Sequence, residues 1–216
     1  MDLHILCTHL GVSNSLLEKY HDEDWIGIDY GTIMLVDAGI RPIAAFGDFD
    51  SVSEEERLRI EDVIEIEYLP SEKNETDLEV GVQYANGLGY DKVYIHGATG
   101  GRLDHFLGNL QTLVHPDLLL SETEFIIVDA YNEIQVLSTG THIIERSEDK
   151  KYISFIPVND GVVLTIEGLK YETDRLEVKM GFTRTVSNEF ITDRAEITVE
   201  QGMVYMIQSS EAKLEE

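Results

Sequence analysis

Short apolar runs and helical patterns alternate along residues 1–114. The runs are LHILC (3–7), WIGID (25–29), IAAF (43–46), VIEIEYL (63–69) and KVYIHG (92–97). Between and after them, amphipathic stretches predict helices near 13–20, 32–38, 53–61, 76–88 and 103–114. Strand–helix alternation of this kind builds a mostly parallel sheet with helices packed on it. Two helix starts are well marked: Ser53 with Glu56, and Thr76 with Glu79, both have the capping-box spacing. Leu103, Phe106, Leu107 and Leu110 recur at i, i+3, i+4 and i+7, which predicts a core-facing stripe on the last helix.

The pattern changes after about residue 120. FIIVD, IQVL, THIIE, YISFI, VVLTI, LEVKM, AEITV and MVYMI are short and β-rich, with YNE, STG, NDG and EQG as turn signals between them. No long helical pattern interrupts them, so an antiparallel sandwich is expected. HPDLLLSETE (115–124) reads as the join. The expected fold is an α/β N-terminal domain over 1–120 with a mostly parallel sheet, followed by an all-β C-terminal domain over 121–216.

Composition narrows the function. The chain has 216 residues, is 43% hydrophobic, and carries a formal charge of −26 from 42 acids against 16 Lys and Arg. That charge argues against nucleic-acid backbones and anionic lipid as partners. No stretch is apolar for long enough to span a membrane, and MDLHILCTHL lacks the pattern of a signal peptide. Cys7 is the only cysteine, which rules out a disulfide within the chain and fits a cytoplasmic, reducing setting. In so acidic a chain a phosphate site needs local cations, and Lys73 and Arg102 each stand beside an acidic motif.

In a parallel sheet, ligands bind beyond the carboxyl ends of the strands. Four strand ends deliver polar residues there: Asp29; Asp48 and Asp50; Lys73, Thr76 and Asp77; and the GATGGR loop (97–102). Paired carboxylates with a nearby phosphate suit Mg2+, which takes one or two carboxylates plus phosphate and water. An Asp-rich turn that only caps a helix is the competing reading of GDFDS (47–51), and the helix dipole alone favours an acid at Asp77. A glycine loop running into a helix start suits a phosphate. There Arg102 can fork onto phosphate oxygens or pair with one of many acids. Asp104 has three open roles: orienting Arg102, accepting from a ribose hydroxyl, or binding metal. His105 is either a surface residue or a phosphate contact.

These motifs, taken together, resemble the bacterial thiamine pyrophosphokinases. The matching stretches are GIDYG (27–31), GDFDSV (47–52), EKNETDLE (72–79), GATGGRLDHFLGNL (97–110), YISFIPV (152–158), GLKY (168–171) and VSNEF (186–190), in the family's order. The resemblance implies transfer of pyrophosphate from ATP to the hydroxyl of thiamine, with Mg2+ required. It implies that Asp48, Asp50 and Asp77 hold the metal and that Asp29 is a further acid of the catalytic set. It implies a nucleotide side made of Lys73, Thr76, Thr99, Gly100, Gly101, Arg102, Asp104 and His105. It also implies that Ser187 and Asn188 contact thiamine from the partner subunit of a homodimer. Three positions depart from the family pattern. Asn74 replaces a frequent aspartate, THLG (8–11) replaces a glycine pair, and Thr185 replaces a frequent glycine. Two rival readings are a phosphohydrolase with Asp48 as nucleophile and a non-catalytic nucleotide or thiamine sensor.

Overall fold

The computed structural model describes residues 1–68 and 74–211, and the chain divides into two compact units, 1–130 and 131–216. Lys73 lies outside the described residues.

The first unit is a parallel sheet with helices between its strands. Its elements are β1 (Asp2–Leu6), α1 (Asn14–Lys19), β2 (Asp24–Ile28), α2 (Tyr30–Asp37), β3 (Ala44–Gly47), α3 (Glu54–Glu61), β4 (Glu67–Tyr68), α4 (Asp77–Asn86), β5 (Lys92–His96), α5 (Leu103–Thr112), α6 (Pro116–Leu119) and β6 (Glu124–Val128). The strand order is β6-β5-β1-β2-β3-β4, and every pair is parallel. Because β1 is flanked by β2 on one side and β5 on the other, the order reverses at β1. A crevice opens at such a point outside the carboxyl ends of the strands. Strand side chains Leu3, Ile5, Ile26, Ile28, Phe46, Val93, Ile95 and Ile127 are buried, so the sheet is covered rather than solvated.

Two helix starts form as the spacing predicts. Ser53 accepts from the Glu56 N–H and Glu56 Oε2 accepts from the Ser53 N–H, and Thr76 accepts from the Glu79 N–H. The apolar stripe of α5 is a correction. Leu103 and Leu107 are 73% and 60% exposed, while Thr112 and Leu113 are buried and Phe106, Asn109 and Leu110 are half-buried. The inward stripe is thus 106, 109, 110, 113, and it includes a polar residue that hydrophobic patterning passes over.

The expected join also differs. The sequence pattern groups FIIVD with the antiparallel half, but β6 pairs in parallel with β5 (Lys92↔Glu124 to His96↔Val128) and belongs to the first unit. HPDLLL contains the short helix α6, started by Pro at its first turn and capped by the His115 side chain.

The second unit is a sandwich of antiparallel strands. Its strands are β7 (Asn132–Leu137), β8 (Gly140–Glu145), β9 (Tyr152–Pro157), β10 (Val162–Glu167), β11 (Thr173–Val178), β12 (Asn188–Glu189), β13 (Arg194–Gln201) and β14 (Val204–Ser209). Within it the orders are β12-β9-β14-β7 and β11-β10-β13-β8. Alternate residues of both sheets share one core, including Ile153, Phe155, Leu164, Ile166, Ile197, Val199, Val204 and Met206. The Thr185 side chain is absorbed there: it is buried and its hydroxyl donates to the Phe155 carbonyl at 2.5 Å. Among the described residues, no helix is long and apolar enough to cross a membrane.

Candidate active site

Three acids converge at the carboxyl edge of the parallel sheet. Asp29 follows β2 and starts α2, Asp48 follows β3, and Asp77 opens α4. Asp29 has φ 45° and ψ −122°, a conformation that costs of order 1–3 kcal/mol for a residue other than glycine. It is held by its own N–H to the Phe46 carbonyl (2.9 Å) and by the Thr32 N–H to its carbonyl (3.0 Å). The Phe49 N–H, itself at φ 54°, points at Asp29 Oδ1 at 3.4 Å. Gly47 makes room for this carboxylate: a Cβ there would overlap Asp29 Oδ1, and its φ of +150° disfavours any side chain.

The electrostatics of the group are those of crowded carboxyls. Burial, the charge of Asp77 and a hydrogen bond shared with Asp77 push Asp29 up to about 7, and Asp48 adds to the rise. Asp48 is half-buried, and its Oδ1 accepts from the N–H of exposed Asp50 at 3.1 Å. Among the described residues, no three His, Cys, Asp or Glu side chains form a ready-made metal cage. A hard divalent cation takes one or two carboxylates and completes its shell with phosphate and water. The crowding at Asp29 supplies the reason a cation is favoured there.

The glycine loop follows β5 at the point where strand order reverses. Gly100 and Gly101 turn the chain at φ +81° and +61° and are exposed. Thr99 donates its hydroxyl to Asp129 Oδ2 at 2.7 Å. Arg102 is the N-cap of α5 and forks onto Asp104, with Nε to Oδ1 at 3.1 Å and Nη2 to Oδ2 at 2.6 Å. The guanidinium holds the Asp104 carboxyl down at about 2. Both side chains are exposed, at 72% and 65%, so the pair adds little to stability and Arg102 is available to exchange it for another anion. His105 is exposed on the first turn of α5. Thr76 commits its hydroxyl oxygen to capping α4.

In the second unit, Ser187 is exposed at φ 60°, and its N–H donates to Ser154 Oγ at 2.9 Å. Asn188 is 5% exposed. Its amide bridges the backbone of Tyr171, accepting from the N–H at 2.9 Å and donating to the carbonyl at 2.8 Å. This bond network makes Asn188 the anchor of the turn around Tyr171. Tyr171, Met180, Phe182, Val186 and Ile191, on the segments flanking these two residues, are all large apolar side chains left exposed.

Three residues at the first unit's site were not anticipated: Gly47, Asn109 and Asp129. Gly47 and Asn109 stand inside quoted motifs with no role given to them. Asp129 ends a strand as Asp29 does, but the misplacement of β6 hid that signal.

Comparison with known proteins covers both units of the chain. Residues 17–127 match the thiamin pyrophosphokinase catalytic domain, and residues 141–204 match the thiamin pyrophosphokinase vitamin B1 binding domain. The chain is 41% identical over 199 residues to thiamine pyrophosphokinase of Bacillus subtilis, covering 90% of this chain and 92% of that protein. A crystal structure of the Bacillus subtilis enzyme superposes with a TM-score of 0.88 at 37% identity, covering 98% of this chain and all (100%) of that one. Thiamin pyrophosphokinase from Geobacillus thermodenitrificans superposes at 0.84 with 32% identity and 99% coverage of both chains. On sequence and fold, the chain belongs to the thiamin pyrophosphokinase family.

Proposed function

We propose that this protein transfers the pyrophosphoryl group of ATP to the hydroxyl of thiamine, giving thiamine diphosphate and AMP. The observation that carries the reading is the crowding of Asp29, Asp48 and Asp77 beside a parallel-sheet edge that also bears a glycine loop and Arg102. The thiamine oxygen attacks the β-phosphorus in line, the bond from that phosphorus to the α-phosphate oxygen breaks, and AMP departs. A carboxylate takes the hydroxyl proton, with Asp29 and Asp77 as the candidates. Thr99, Gly100, Gly101 and Arg102 receive and orient the phosphates, with Thr76, Asp104 and His105 beside them, and Lys73, outside the described residues, is assigned to the same nucleotide side. Asp48, Asp50 and Asp77 are the acids from which one or two ligands would hold Mg2+, with phosphate and water completing its shell; when bound, the ion would supply positive charge to the triphosphate.

In this reading the catalytic, nucleotide-binding part is the first unit and the thiamine-binding, dimer-forming part is the second. Ser187 forms the wall facing thiamine, and Asn188 shapes that wall through Tyr171. The exposed apolar side chains at Tyr171, Met180, Phe182, Val186 and Ile191 support a homodimer that covers them. Thiamine is a cation, so the charge of −26 favours its approach.

Incubation with ATP, Mg2+ and thiamine tests the proposal. AMP formed only when thiamine is present is the expected result. Free phosphate released without thiamine would instead mark a phosphohydrolase acting through Asp48, and binding without turnover a sensor.

A further inference from the structure

The glycine loop is tied down by side chains that no catalytic role accounts for. Asn109, one and a half turns into α5, donates its amide to the Ala98 carbonyl at 2.9 Å. Asp129, at the end of β6, accepts the Thr99 hydroxyl at 2.7 Å. On the third side, Gly97 sits against the strand β1 exit so closely that a Cβ would overlap the backbone of Thr8, and its φ is +69°. The three anchors come from α5, β6 and β1, the elements that surround β5. Ala98 is buried and Thr99 half-buried, whereas Gly100 and Gly101 beyond them are exposed. The loop therefore has a fixed stem and a free tip.

We propose that Asn109 and Asp129 are positioning residues that fix the stem of this loop so that its tip meets the triphosphate in one shape. The inference rests on the reading that this loop receives ATP. A glycine-rich loop is costly to order when ligand binds, because glycine has the most backbone freedom to lose. Fixing residues 98 and 99 beforehand removes that cost from the binding step. Asp129 fixes the stem at a local cost in charge. The carboxylate keeps its charge beside the phosphate loop, so fixing the Thr99 hydroxyl is achieved against some repulsion of the ligand.

Steady-state kinetics by AMP release test this. Asn109→Ala and Asp129→Ala are each expected to raise KM for ATP about tenfold, the size of one lost hydrogen bond of this kind. KM for thiamine stays within about twofold, because the anchors act on the nucleotide side alone. Asp129→Asn keeps an acceptor for Thr99, loses the negative charge, and is expected at or below the wild-type KM for ATP. A merely structural role predicts a different split, in which kcat falls with the active fraction and both KM values hold. A double-mutant cycle adds a readout independent of folding yield. Thr99→Val removes the same bond from the other end, so Thr99→Val with Asp129→Ala should raise KM for ATP no further than either alone. Additive effects, or a KM for ATP unchanged in Asn109→Ala and Asp129→Ala, would overturn the proposal. Arg102→Ala separates the two possible failures. If it raises KM for ATP while the anchor variants do not, the loop binds ATP and the anchors are irrelevant. If none of these variants alters KM for ATP, the loop is not the nucleotide site and the proposal falls with that reading.

Discussion

At the scale of single residues, the site combines local cost with chemical use. Asp29 is strained in its backbone and crowded in its carboxyl, and neither feature helps the fold. Stability and activity therefore trade against each other at this position. With divalent cations chelated at pH 8, Asp29→Asn should be more stable than wild type by about 1 kcal/mol in urea titration, after allowance for solvent screening. The same variant should lose at least about a hundredfold in kcat with Mg2+ present. Equal stability of the two proteins would mean that the carboxyls do not repel. Arg102→Lys makes the complementary case. Its exposed pair with Asp104 contributes little to folding, so the melting midpoint should stay in place. Loss of the planar fork should raise KM for ATP about tenfold, as measured by initial rates. The acids and the arginine were legible in the sequence because they stand at strand ends and a helix start, where side chains of this kind meet ligands. The strain at Asp29 and the space that Gly47 leaves for it were not, because both arise from strands β2 and β3 meeting side by side.

At the scale of elements, periodicity revealed helices and strands but not always the face or partner of each. The stripe of α5 is turned away from Leu103 and Leu107 because Asn109 faces the loop stem and Thr112 and Leu113 are buried. Apolar β6 carries no mark of parallel or antiparallel pairing, and the crossover through α5 and α6 brings it back beside β5 in the same direction. The opposite case is the buried face of β1 and β5. There His4 Nδ1 meets His96 Nε2 at 2.9 Å, and His4 Nε2 meets Glu23 Oε2 at 2.9 Å, among the rings of Tyr20, Trp25 and Tyr94. Burial and the neighbouring His4 push His96 down to about 3, and burial lowers His4 against the opposing pull of Glu23 and Asp2, with Lys19 adding to the lowering. Both histidines thus fold in the neutral form. The stability they allow is present above the unfolded value of 6.5 and is lost as pH falls below it. In urea unfolding between pH 7 and pH 5, His96 should contribute a fall in stability of about 1 kcal/mol per pH unit once below 6.5, with His4 acting in the same direction and protonation of Asp29 opposing it. His96→Phe should make that slope shallower whatever it does to stability at pH 7. An unaltered slope would place the acid sensitivity elsewhere.

At the scale of the whole molecule, the two-part plan was legible because its halves obey different periods, helical alternation first and short strands afterwards. The number of chains that complete a site is not written in one chain's periodicity. The proposed function carries a homodimer that shares its sites, with acids from one subunit and the thiamine wall from the other, covering the exposed apolar side chains around Ser187. A complementation experiment decides this. Asp77→Asn removes an acid at a helix start, where the change in stability should stay within about 1 kcal/mol. Ser187→Lys places a cation at an exposed position of the proposed thiamine wall, where it repels a cationic substrate. Each homodimer should be inactive. Co-expressed, the two chains should form mixed dimers in which one site carries both lesions and the other carries none. With random pairing in a two-fold dimer, activity should recover to about a quarter of wild type. The control is the double variant in one chain, co-expressed with wild type, whose mixed dimers carry one lesion in each site and should contribute no activity. If verified mixed dimers of the single variants stay inactive while those of the control are active, each site is built within one chain, and the apolar surface beside Ser187 serves another purpose.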